Sequence, residues 1–124
     1  MQKYFEQVEC IDINAGKTFL KKRLPNNLLL FVFSGNLIIN CNYKSDLEIN
    51  EGYFVLLPAD TFFIATTVTT SHIVIIHAGT LSEMIIEDPE WNPDNPQILP
   101  ILPALAKTLK QIEYLKKIYK TRLN

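Results

Sequence analysis

Two histidines, His72 and His77, and two cysteines, Cys10 and Cys41, are the side chains of this 124-residue chain best suited to metal ligation or nucleophilic attack at neutral pH. Neither pair is arranged for it. The histidines stand five residues apart on one predicted strand, where successive side chains alternate between faces, so they point to opposite sides and cannot share a metal. The expectation is one histidine buried or at an edge and one exposed. The cysteines form no CxxC pair and have no identifiable activating partner, so both read as small, reduced core residues. The acidic residues fall in turns and on strand edges. No nucleophile elbow, phosphate loop, dinucleotide fingerprint or HExxH helix occurs. Conventional catalytic machinery is therefore not expected, and neither is a cofactor.

The elements that would position a site are mostly strands. Leu28 to Phe33 is a run of branched and aromatic residues closed by Ser34-Gly35-Asn36. Leu37 to Tyr43 follows, then a turn at Lys44-Ser45-Asp46 and a second at Asn50-Glu51-Gly52. Tyr53 to Leu57, Thr61 to Val68 and His72 to His77 complete the β-rich part. Strands about ten residues apart, with no helical period between them, predict an all-β sandwich or barrel. Five of the seven prolines lie between Pro89 and Pro103, which predicts a linker. Pro103 suits a first helical position. Beyond it Leu102, Leu105, Leu109, Ile112, Leu115 and Tyr119 recur every three or four residues, with lysines opposite. The predicted organisation is a barrel over 1–86, a proline-rich linker over 87–102 and an amphipathic helix over 103–124.

Charge divides the chain along the same line. Residues 104–124 carry six basic side chains against one acid, Glu113, while the remainder carries six basic and twelve acidic residues. An acidic body is a poor nucleic-acid surface. The first ten residues lack a signal-peptide profile, and the longest apolar runs are too short for a bilayer. A cytoplasmic protein without membrane contact is expected.

Two glycine-anchored segments resemble the motifs of the cupin family. That family's first motif reads Gly, five residues, His-x-His, three or four residues, Glu, six residues, Gly, and here Gly16, Lys22, Leu24, Leu28 and Gly35 hold those places. The second reads Gly, five residues, Pro-x-Gly, two residues, His, three residues, Asn, and here Gly52, Pro58-Ala59-Asp60, Phe63 and Thr67 hold them. The resemblance covers residues 16–67 and implies a mainly β, double-stranded β-helix (a jelly-roll barrel) followed by a C-terminal α-helix. It also implies that the metal is lost. Lys22, Leu24, Leu28 and Phe63 stand at the ligand positions, and leucine, phenylalanine and a protonated lysine have no lone pair to give.

A metal-free cupin followed by a proline-rich linker and an amphipathic helix resembles the N-terminal regulatory domain of AraC-type transcription factors. That resemblance implies a small-effector barrel, a helical homodimer contact, and a helix-turn-helix DNA-binding domain lying outside these 124 residues. In small barrels alternate side chains point inward and either line a cavity or fill it. In one arrangement Lys22 anchors a small organic acid or sugar-type effector beside Leu24 and Phe63. In the other, Leu24, Leu28 and Phe63 plug the lumen and Lys22 extends to its rim. The helix has the same two options: Leu105, Leu109 and Ile112 serve self-association, or they pack on their own barrel. Two other classes fit the fold, a stand-alone metal-free cupin that binds a small molecule and a metal-free isomerase-type cupin. The latter needs a proton-transfer pair inside the barrel, and the sequence offers none.

Overall fold

The computed structural model describes residues 8–77 and 96–123. Eight strands occupy the first segment: β1 (Val8–Ile13), β2 (Thr18–Arg23), β3 (Leu28–Ser34), β4 (Asn36–Cys41), β5 (Ser45–Asn50), β6 (Tyr53–Leu57), β7 (Phe62–Thr67) and β8 (Ser71–His77). The second holds β9 (Ile98–Pro100) and helix α1 (Pro103–Leu123). Two antiparallel sheets form, in the orders β1-β8-β3-β6-β9 and β2-β7-β4-β5. Strand β4 pairs with β5, β3 with β6, β2 with β7 and β1 with β8, as in one long hairpin rolled up on itself. That is the jelly roll, in which two Greek keys stack as two sheets.

Burial follows the layers. The inner faces of both sheets meet in one core containing Leu24, Leu28, Leu30, Val32, Leu37, Ile39, Ile49, Val55, Leu57, Phe63, Ala65 and Ile73. Each large side chain fully removed from water there stabilises the fold by roughly 1.5–3 kcal/mol. Strand β3 is buried on both faces: Leu28, Leu30 and Val32 point into this core, while Leu29 and Phe31 point out beneath α1. Hence its unbroken apolar sequence. Strands β4 and β7 instead alternate, with the outward residue of each pair partly or fully exposed.

The strands expected from sequence are present within one or two residues of their predicted ends, and the helix begins at Pro103. Two details differ. The turn after β4 is Asn42-Tyr43-Lys44, with Asn42 and Tyr43 at positive φ, and Ser45 already belongs to β5. The linker is not wholly irregular either: Ile98–Pro100 pairs with β6, placing Tyr53 opposite Pro100 and Val55 opposite Ile98. Strand β9 is the sheet edge, and an edge position leaves one side of the backbone without a ladder to donate to, so Pro100 is tolerated. The linker's first part, 87–95, lies outside the described residues.

Candidate functional site

The two glycine-anchored segments come together at the β2-to-β3 and β6-to-β7 connections. Leu24 N–H donates to Thr61 O at 3.1 Å and Asp60 N–H to Leu24 O at 2.8 Å, while the Ala59 N–H donates to Asn27 Oδ1 at 2.7 Å. The Arg23 guanidinium reaches the Asp60 carbonyl across the same junction. All three motif glycines in this region adopt positive φ: Gly16 at 74°, Gly35 at 85° and Gly52 at 87°. Asp60, which holds the place of the family's turn glycine, does so too, at 64°. Aspartate is among the few side chains that enter the left-handed region at modest cost. Both glycine-anchored segments thus form tight turns, while the side chains at Lys22, Leu24, Leu28 and Phe63 offer a metal nothing.

At the four ligand positions, the structure brings together Leu24, Leu28 and Phe63, all buried in the inter-sheet core. Lys22 stands opposite Phe63 in the β2–β7 register, as Leu20 stands opposite Ala65, so Lys22 shares the inward side of this strand pair. Its side chain is nonetheless exposed, because β2 is the outermost strand of its sheet. The site is therefore an apolar plug with an ammonium group at its rim. It offers no lone pairs to a metal, and no group of three or more His, Cys, Asp and Glu able to hold one exists among the described residues.

A second polar arrangement lies on the outer side of the other sheet. His72 Nδ1 is 2.7 Å from Asp12 Oδ1, and its Nε2 is 2.9 Å from Glu113 Oε1. Strand β1, strand β8 and helix α1 are joined through one imidazole. Both ring nitrogens donate only when the ring is a cation. Partial burial alone would lower the His72 pKa, but hydrogen bonds to Asp12 and Glu113 outweigh it and the pKa is raised. The carboxylates sit at opposite ends of the ring and so do not converge on a common ion. Lys116 Nζ donates to the Val8 carbonyl nearby, and Lys110 Nζ lies 5.8 Å above the Phe33 ring. Cys10 is partly buried beside them, its thiol pushed up chiefly by burial and further by Glu113. His77 is separately placed, with Nε2 3.0 Å from Glu9 Oε1.

The histidines do lie on opposite faces of β8. Both are half-buried and each has a carboxylate partner, rather than one buried and one exposed. Sequence reasoning passed over Asp12 and Glu113. One signal was present: Glu113 is the only acid in a basic helix, and it lies four residues from Leu109 on the buried stripe.

Leu105, Leu109 and Ile112 pack within the chain. Leu109 is 2% exposed, among Val8, Leu29, Phe31, Leu56 and Val74, with Leu105 and Ile112 against the same cluster. While α1 is docked, self-association has to use another surface.

No protein-family model and no curated protein matches this chain. Solved structures do. ToxT from Vibrio cholerae aligns over 93% of this chain with a TM-score of 0.62 at 14% identity, and this chain spans 53% of it. ToxT bound to (E)-4-(8-methylnaphthalen-1-yl)but-3-enoic acid aligns over 91% at 15% identity, with a TM-score of 0.60 and 53% of that chain covered. An RmlC-like cupin with a double-stranded β-helix fold, from Methanocaldococcus jannaschii, aligns over 63% of this chain and 73% of its own, at 12% identity and a TM-score of 0.55. At such identities the likeness speaks for the fold, a cupin-type jelly roll. The chain spans about half the length of ToxT.

Proposed function

We propose that this chain is the regulatory module of a transcription factor, a metal-free cupin barrel that senses a small carboxylic acid, with DNA contacted through a domain outside these residues. One observation carries this reading. Over nine-tenths of the chain, barrel and helix together, aligns with ToxT, an AraC-family regulator, whereas the cupin from M. jannaschii matches less than two-thirds of it. The lost ligand positions support a binding role rather than an enzymatic one. Lys22 at the barrel rim is placed to meet an anionic head, as on the acid held by ToxT in one structure, and the apolar body of such an acid enters only by displacing part of the Leu24, Leu28 and Phe63 plug.

No helix among the described residues is long and apolar enough to cross a membrane. The stand-alone cupin is the second reading, favoured by the coverage of the M. jannaschii protein.

A thermal-shift panel of arylalkenoic and medium-chain acids, each beside its methyl ester, tests the effector assignment. A ligand present at a hundred times its Kd stabilises a protein by about 2.7 kcal/mol, several degrees for a domain of this size. The acids should raise Tm and the esters should not. Equal shifts from acid and ester would remove the anionic anchor, and no shift from any acid would remove the effector.

A further inference from the structure

The outer face of the β2-β7-β4-β5 sheet has an arrangement that neither the barrel nor its helix uses. The register places three rows of side chains across it. One row is Thr18, Thr66, Ile38 and Glu48. The next is Lys21, Ile64, Asn40 and Asp46, and the third begins with Arg23 and Phe62. Tyr43 caps the third row, its ring stacked on Phe62 with centroids 5.2 Å apart. The middle of the face is mostly apolar, with Ile38 40% and Tyr43 70% exposed and Phe62 and Ile64 half-buried, interrupted by Thr66 and Asn40. One edge strand, β2, presents the cations Lys21 and Arg23. The other, β5, presents the anions Asp46 and Glu48.

We propose that this face is a self-complementary interface for a second copy of the same chain. An apolar band between one basic and one acidic edge can meet itself about a two-fold axis in only one electrostatically sensible way. With the axis parallel to the strands, β2 of one protomer lies over β5 of its partner and each row meets the same row reversed. Lys21 of one protomer then faces the acidic end of that row, held by Asp46, in the other, twice by symmetry. An axis across the strands would stack cations on cations. Face-to-face sheets pack with strands within about 30° of each other, a geometry this axis provides.

Polar groups on the face are already satisfied within it. The Thr18 and Thr66 hydroxyls bond each other at 3.0 Å, and Asn40 Nδ2 donates to Asp46 Oδ1 at 2.8 Å. Each of these groups therefore keeps a partner when covered, while one threonine hydroxyl and the second Asn40 N–H are left to bond across the interface or to water. The sheet is about 15 Å wide across its four strands. That places the contact at the small end of specific interfaces, with Kd on the order of 1–100 µM. The interface holds whether or not the barrel takes an effector.

The test is sedimentation equilibrium on the 124-residue chain and three variants, Lys21→Glu, Asp46→Lys and Tyr114→Asp, the last on the exposed side of α1. The wild type should dimerise. Each charge reversal alone should weaken the dimer by about tenfold or more, since two symmetry-related attractions become repulsions. An equimolar mixture of Lys21→Glu and Asp46→Lys chains should regain the dimer to within about threefold of wild type, because both contacts are then between opposite charges. Recovery on mixing cannot come from misfolded chains. A wild type still monomeric at about 1 mM, roughly tenfold above that range, would overturn the proposal and leave the edge charges as guards against strand pairing. So would a dimer indifferent to both reversals, no recovery on mixing, or a dimer lost only in Tyr114→Asp.

Discussion

His72 Nε2 lies 2.9 Å from Glu113 Oε1, so the one acid in the basic helix is bound to the strand that runs beneath it. With Asp12 on the other ring nitrogen, the imidazolium ties the helix to both β8 and β1. The apolar stripe sets how strongly α1 docks, and this bridge makes part of that docking depend on pH.

The sign follows from linkage. The folded-state pKa of His72 is raised above its ordinary value of 6.5, so the bridge contributes fully below that value and is lost as pH rises through the raised one. Amide exchange in α1 and Tm should both report a weaker dock as pH rises above 6.5 and through the raised pKa. His72→Gln should flatten that dependence and lower stability at pH 6 by about 1–3 kcal/mol. The two proteins differ at position 72 alone, so the difference between their pH profiles isolates His72.

Leu109→Ala should cost about 2–5 kcal/mol, as expected for a buried leucine under a docked helix. Urea denaturation measures it. A folded, fully stable Leu109→Glu variant that only changed oligomeric state would instead mean that the stripe faces another molecule.

The motif glycines should not be equivalent. A Cβ on Gly52 meets nothing within 4 Å, so Gly52→Ala pays only for positive φ, about 1–2 kcal/mol. A Cβ on Gly35 would come within 2.2 Å of Ser71 Oγ and 2.6 Å of the Thr70 carbonyl oxygen. Backbone at that distance has to move, so Gly35→Ala should be clearly the more damaging in chemical denaturation.

The fold was readable where local chemistry decides it. Glycines at fixed spacing marked the turns, and Pro103 marked the helix start. What escaped notice depends on register between distant strands. Strand β9 forms because β6 offers it an edge, although its own residues include a disfavoured proline. The Asp12–His72–Glu113 bridge joins residues sixty and forty-one positions apart, which no local period reveals. Lys22 was readable as inward by parity. Parity leaves two ends for its side chain, the lumen or the rim, and the strand order, which places β2 at an edge, decides for the rim.

Calorimetric titration of an arylalkenoic acid into wild type and Lys22→Ala tests the central claim most directly. A rim ammonium binding a carboxylate predicts that the substitution weakens binding by about 1.5–3 kcal/mol, a ten- to hundredfold rise in Kd. Equal affinity for both proteins, or no heat with wild type, would contradict an acid-sensing barrel.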